Sequence, residues 1–166
     1  MAASGSPLTI FTGFVPGVGE VSGTGLRFNQ RPNRVAGEPC RATGGRKEQW
    51  LNPAAFTLAG FELGTIGDAG RGICEGPGLM QVDLALYKNI RLGSRLRAQL
   101  RFEVFNVFDR DQFLGVDTTM DPLAVTLDAP LDSATKVTDY QLPLSFGQVT
   151  KARDPRQVQV GLKLIF

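Results

Sequence analysis

The sequence predicts an all-β protein, an antiparallel meander of about four long strands joined by long loops. Three observations support this class. Apolar and polar residues alternate over several stretches of nine or more residues, which is typical of strands with two different faces. The 166 residues include 20 glycines and 10 prolines, a composition that favours turns over long helices. No run of 18 apolar residues is present, so a transmembrane helix is not expected.

The four predicted strands lie near residues 7–15, 79–91, 96–108 and 156–166. The first is the least regular, because Phe11 interrupts its alternation. The third is the most regular. Its apolar face consists of Leu96, Ala98, Leu100, Phe102 and Val104, and its polar face of Arg97, Gln99, Arg101 and Glu103.

The connections between these strands are very unequal in length. Gly93, Ser94 and Arg95 form a short turn between the second and third strands, whereas long loops are predicted over 16–78 and 109–145. Loops of that length are uncommon in a compact soluble domain. Outer-membrane β-barrels, in contrast, have short turns on the periplasmic side and long loops outside. The pattern therefore predicts part of an outer-membrane barrel, with both long loops outside and Phe166 at the periplasmic rim.

The two cysteines, Cys40 and Cys74, both lie in Gly- and Pro-rich segments of the first long loop. They are either two free thiols or one disulfide, and loop cysteines of an exported protein usually form a disulfide. We therefore expect a Cys40–Cys74 bond. With no histidine in the chain, a zinc site is not expected.

The charge argues against a nucleic-acid-binding protein, and the N-terminus does not resemble a signal peptide. The formal net charge is +2 and the basic residues are dispersed among 16 acidic ones, so no nucleic-acid partner is expected. No cofactor is expected either. The first residues lack the basic and apolar regions of a signal peptide. If the chain is exported, the signal is expected to be missing or to have been removed with an upstream segment.

Two acidic pairs are weak candidates for chemistry. Asp83 and Glu103 fall on the same face of neighbouring predicted strands, and paired carboxylates can perform acid–base catalysis. Asp109 and Asp111 could bind a cation in the following loop. For Asp83 and Glu103 we favour ordinary lumen or solvent-face charges neutralised by Arg97 and Arg101. For Asp109 and Asp111 we favour solvated charges, because a lone acidic pair in a loop is usually solvated.

Five segments, taken in order, resemble the C-terminal end of TonB-dependent outer-membrane receptors, above all the subset with an N-terminal carboxypeptidase-regulatory-like domain. They are QWLNPAAFTL, GTIGDAGRG, GPGLMQVDLALYKNIRL, RLRAQLRFEVFNVFDRDQF and FGQVTKARDPRQVQVGLKLIF. The resemblance extends from about Ser4 to Phe166. It implies a location in the bacterial outer membrane and a structural role in ligand uptake.

The resemblance also implies partners and a signal. Gln159, Gly161, Leu164 and Phe166 match the family's signal for barrel assembly, so the partners would be outer-membrane lipid and the barrel-assembly machinery. Members of the family are several times longer and have a plug domain, and four strands cannot close a barrel. We therefore expect a fragment that needs the remainder of a barrel or other copies of itself. The alternatives are a small soluble β-rich module that binds a ligand or self-assembles, and a carboxylate-based hydrolase.

Overall fold

The computed structural model describes residues 1–12, 14–15, 19–20, 30–46, 48–62, 64–130 and 135–166, and it confirms the all-β class with antiparallel strands. One short 3-10 helix, Pro53–Ala55, is present in this part of the chain. The strands in chain order are β1 (Ala2–Ala3), β2 (Pro7–Leu8), β3 (Phe14–Val15), β4 (Gly19–Glu20), β5 (Asn33–Arg34), β6 (Arg41–Arg46), β7 (Gln49–Leu51), β8 (Phe56–Thr57), β9 (Cys74–Glu75), β10 (Leu79–Met80), β11 (Leu84–Arg91), β12 (Arg97–Phe105), β13 (Phe113–Val116), β14 (Ala124–Leu127), β15 (Val137–Gln141), β16 (Val149–Ala152) and β17 (Gln157–Ile165).

The chain divides into two compact units. The first, which we call the sheet unit, comprises Met1–Ser4, Pro77–Phe113 and Ala152–Phe166. The second, which we call the loop unit, comprises Gly5–Gly76 and Leu114–Lys151. The second, third and fourth predicted strands lie in the sheet unit, whereas the first predicted strand and most of the two predicted long loops lie in the loop unit.

The sheet unit is built on a three-stranded antiparallel sheet in the order β11-β12-β17. β11 and β12 form a hairpin that is closed by a short turn over residues 93–95. Their paired residues run from Leu84 opposite Val104 to Arg91 opposite Arg97, next to the turn. β17 pairs antiparallel with the other edge of β12 over its whole length. These strands confirm the predicted hairpin, and the pairing of the third with the fourth long strand is the one that an antiparallel meander requires. The short pair β1-β10 completes the described strands of this unit.

Two of the long strands are shorter than the sequence predicts. The second begins at Leu84 rather than at residue 79, with the separate two-residue strand β10 before it. The third ends at Phe105 because Asn106 adopts a left-handed conformation, with φ of 52°. Asparagine is one of the few residues that tolerate this conformation, and it ends the extended chain there.

The first predicted strand is not one continuous strand in the structure. Of residues 7–15, only Pro7–Leu8 and Phe14–Val15 lie in strands, and Gly13 lies outside the described residues. Between them, Ile10 is fully buried and Phe11 forms a parallel bridge with Thr119. This segment is therefore part of the core of the loop unit and is not a long strand with a lipid-facing side.

The two long connections contain ordered structure of their own. Antiparallel ladders join β2 to β9, β3 to β4, β5 to β8, β6 to β7 and β14 to β15. β13 and β16 form a further two-stranded ladder. These ladders surround buried apolar side chains, among them Ile10, Leu51, Phe56, Leu58, Met120, Val137 and Phe146. The sequence predicted loops here because strands this short do not show a period of two.

No helix in the described part of the chain is long and apolar enough to cross a bilayer.

Candidate functional site

The most distinctive surface of the protein is one face of the three-stranded sheet, which we call the apolar face. The strand register aligns its side chains in four cross-strand rows. The rows are Leu84-Val104-Val158, Leu86-Phe102-Val160, Lys88-Leu100-Leu162 and Ile90-Ala98-Leu164. Exposure reaches 64% at Leu86 and Leu162 and 75% at Val160. A contiguous apolar surface of this kind requires an apolar partner, whether lipid or protein.

Lys88 is the single charged residue of these four rows. Alternation alone suggested a charge near the periplasmic end of a longer strand, but in the structure Lys88 is the fifth of the eight residues of β11 and lies opposite the central Leu100. A lysine there can extend its methylene chain along the apolar surface towards the hairpin end and bring its ammonium group closer to water. One such residue is compatible with a lipid-facing surface.

The opposite face of the sheet, the polar face, carries a hydrogen-bonded cluster at its centre. The Tyr87 hydroxyl donates to Glu103 Oε1 at 2.6 Å, and Arg101 Nη2 lies 3.0 Å from the same oxygen. The guanidinium of Arg101 also lies over the Tyr87 ring, 5.0 Å from its centroid. In the next row, Gln99 Nε2 donates to Asn89 Oδ1 at 3.0 Å. A face of this composition suits a watery interior.

Asp83 anchors the turn that follows β12. Its Oδ1 accepts the backbone N–H of Asn106 at 2.9 Å, and both carboxylate oxygens accept from Gln81 Nε2. The Asn106 side chain then donates to the Arg110 carbonyl and accepts the Arg110 N–H, at 3.0 and 3.1 Å. Sequence analysis missed Asn106. The signal available was an asparagine directly after a strand of alternating residues, where left-handed turns are common.

Replacing Asn106 by alanine is expected to destabilise the sheet unit by about 1–3 kcal/mol, because two hydrogen bonds are lost and alanine disfavours a positive φ. Urea unfolding of the full chain in detergent would measure the change. Asn106→Gly, which keeps the backbone conformation but also loses the hydrogen bonds, should cost less. Asn89→Ala, at an exposed hydrogen bond, should change stability by no more than about 0.5 kcal/mol. Equal effects of Asn106→Ala and Asn89→Ala would contradict the role of this turn.

Asp83 and Glu103, the two carboxylates considered for catalysis, bind different neighbouring residues. Glu103 contacts Arg101, as the sequence analysis proposed for a neutralised charge. Asp83, in contrast, is held by Gln81 and the Asn106 backbone rather than by an arginine. These contacts favour the structural interpretation of both residues.

The two aspartates considered for cation binding also take different positions. Asp109 has a left-handed backbone with φ of 49°, and its carboxylate accepts the Arg156 N–H at 3.2 Å and lies 3.6 Å from the Arg156 guanidinium. Asp111 is exposed beside Arg110 in a shallow groove. Within the described ranges, no cluster of three or more potential metal ligands was found.

The predicted disulfide is confirmed. Cys40 and Cys74 are bonded, with their Cα atoms 5.5 Å apart. Cys74 is buried in β9, which pairs with Leu8 in β2, whereas Cys40 is at the edge of the Gly- and Pro-rich turn before β6. The bond therefore links segments that are far apart in sequence to the same small core.

The segment WLNPAAF forms part of that core rather than an exposed rim. Trp50 is buried, and its indole N–H donates to the Glu75 carbonyl at 3.1 Å while Arg41 lies over its ring at 4.3 Å. Asn52 caps the short 3-10 helix by accepting from Ala54 N. Phe56 is buried edge-to-face against Phe146, with 6.3 Å between the ring centroids. These aromatic rings stabilise the loop unit and are not available for stacking on a ligand.

A sheet with long antiparallel strands, one apolar and exposed face, and one polar face defines the wall of a transmembrane β-barrel. A family model described as an outer membrane beta barrel domain matches residues 1–159 of the chain. The chain belongs to this family and is located in the outer membrane. No curated protein and no solved structure matches it.

Proposed function

We propose that this chain is the C-terminal part of the barrel of a TonB-dependent outer-membrane receptor and contributes to ligand uptake as part of the barrel wall, without catalysis of its own. The observation that carries the proposal is the strand register, which gathers the apolar side chains of β11, β12 and β17 on one exposed face. The five segments that resemble these receptors, in the same order, support the assignment to a TonB-dependent receptor rather than to a barrel in general. Outer-membrane lipid would cover the apolar face.

The strand directions support a partner other than a second copy of this chain. β11 and β17 both run antiparallel to β12, so they run in the same direction as each other. In a ring of identical three-stranded units around the barrel axis, each junction would join β17 of one copy to β11 of the next in parallel. Outer-membrane barrels are antiparallel throughout. The open edges are therefore better matched by the remaining strands of a larger barrel.

The size of the native polypeptide tests this proposal. An antibody against the loop unit should detect, in outer-membrane fractions, a polypeptide several times heavier than the 17.9 kDa of this chain. That polypeptide should also be retained by an immobilised periplasmic domain of TonB. An outer-membrane band at the mass of this chain, without retention by TonB, would contradict the receptor assignment and leave the barrel assignment intact.

We further propose that Gln159, Gly161, Leu164 and Phe166 are recognised by the barrel-assembly machinery. Leu164 lies in the last row of the apolar face, and Phe166 follows on the same alternation. Phe166→Ser should therefore lower the amount of chain that assembles in the outer membrane, measured as detergent-extracted, protease-resistant protein. Ile165→Ser, on the opposite face, is the matched control. An equal loss for both variants would show that the terminal aromatic has no special role.

A further inference from the structure

The polar face ends, next to the hairpin turn, in a corner that carries three cationic side chains. Arg91 and Arg97 are directly paired across β11 and β12. Lys163 on β17 is paired with Gln99, two residues along the strand from Arg97. All three are exposed. From the spacing of strands and of alternate residues, the Cβ atom of Arg97 lies about 5 Å from that of Arg91 and about 8 Å from that of Lys163. The Cβ atoms of Arg91 and Lys163 are about 12 Å apart, a distance that their long side chains can bridge to one anion.

Among the described residues, no acidic side chain forms an ion pair with this corner. In the described part of the chain, ion pairs join Arg101 to Glu103 and Arg156 to Asp109, and none involves the three corner residues. Glu103, the acidic residue of the polar face nearest to them in register, is already bound to Arg101 and Tyr87. Like charges directly opposite each other on neighbouring strands are destabilising. A bound anion would relieve this repulsion.

We propose that Arg91, Arg97 and Lys163 form a binding site for a soluble phosphate-bearing solute on the polar face of the barrel wall. Guanidinium groups bind phosphate oxygens with two parallel hydrogen bonds, and a lysine adds a compact positive charge. Three cations match a dianionic phosphate better than a single carboxylate. The low-dielectric wall of a barrel would strengthen their combined field.

The position of the site indicates which kind of anion would bind there, a soluble solute or a lipid headgroup. Arg91, Arg97 and Lys163 lie on the polar face, whereas lipid packs against the apolar face, where Lys88 is the charged residue. The charged residue on the lipid-covered side is therefore Lys88, and a headgroup among those lipids would contact Lys88 rather than the corner on the other face. The inference depends on the barrel family and not on the receptor assignment, so either can fail without the other.

Calorimetric titration of inorganic pyrophosphate into the full chain, refolded in a neutral detergent, tests the proposal. We expect measurable binding that weakens as salt is added. The double variant Arg91→Gln, Arg97→Gln should weaken it at least tenfold, and Lys163→Gln should weaken it less. Arg91→Lys with Arg97→Lys should give an intermediate affinity, because the charge remains and the paired hydrogen bonds are lost. Circular dichroism and an unchanged urea midpoint of that signal would establish that the sheet of each variant is folded.

Lys88→Gln is the matched control and should leave pyrophosphate binding unchanged. No measurable binding by the native chain, or unchanged binding by the double arginine variant, would overturn the proposal. It would also be overturned if the chain bound only micelles that contain phosphatidylglycerol and if that binding depended on Lys88, since the anion would then be a lipid headgroup.

Discussion

Leu100→Arg is expected to destabilise the membrane-inserted sheet by about 2–4 kcal/mol, which is the cost of an arginine on the lipid-facing side near mid-bilayer. Leu100 is central in β12 and lies between Lys88 and Leu162 in its row of the apolar face. The variant therefore also places two positive charges opposite each other. The fraction of chain that assembles in lipid vesicles, followed by urea unfolding of that fraction, would measure the loss.

Two further variants separate the effect of lipid exposure from the effect of repulsion between facing charges. Phe102→Arg lies in the neighbouring row, between Leu86 and Val160, and tests the lipid contribution without a facing lysine. Gln99→Arg lies on the polar face, where it loses one exposed hydrogen bond with Asn89 and faces Lys163, as Leu100→Arg faces Lys88. It should cost less than about 1 kcal/mol, because both charges remain in water. If Gln99→Arg and Phe102→Arg impaired assembly equally, the assignment of the two faces would be wrong.

Removing the disulfide is expected to have an effect of similar size on the loop unit. Cys40 and Cys74 close a loop with a sequence separation of 34. In the chain-entropy model this is worth about 3–4 kcal/mol. The paired variant Cys40→Ser, Cys74→Ser should therefore unfold at a clearly lower denaturant concentration. Trp50, which is buried in this unit, gives a fluorescence signal for the transition.

The controls distinguish the loss of the bond from damage by the substitutions. Reduction of the unmodified chain should lower the midpoint of the Trp50 transition by the same amount as the paired serine variant. Thiol labelling of denatured, unreduced protein should find no free cysteine. Two labelled thiols per chain would show that the bond does not form in the protein.

Local alternation was enough to predict the three long strands of the sheet unit. Along β12 and β17, side chains of one chemical type recur at every second residue, and a slip of one residue would move the whole apolar set to the opposite face. The register that the structure shows is the one that keeps Leu100 beside Leu162 and Phe102 beside Val160. The short turn over 93–95 left little freedom in the pairing of β11 with β12.

The loop unit could not be predicted in the same way. Its strands are two to six residues long, too short for a period to be recognised, and its contacts join distant parts of the chain. The Phe11 N–H donates to the Thr118 carbonyl at 3.0 Å, and the Phe11 carbonyl accepts the Met120 N–H at 2.6 Å. Nothing in the sequence around Ile10 indicates that it will be fully buried. Only the folded chain brings its partners together.

The sequence by itself determined the all-β class, the two faces of the sheet and the hairpin, because each depends on residues that are close in sequence. It also favoured the disulfide, because the chain contains two cysteines that can pair with each other. Only the tertiary structure decided that Trp50, Phe56 and Ile10 are buried and that Asp83 supports the Asn106 turn. It also decided that Arg91, Arg97 and Lys163 lie at one corner of the polar face. The physical reason is that burial and side-chain partners depend on contacts across long loops, and alternation along one strand does not specify them.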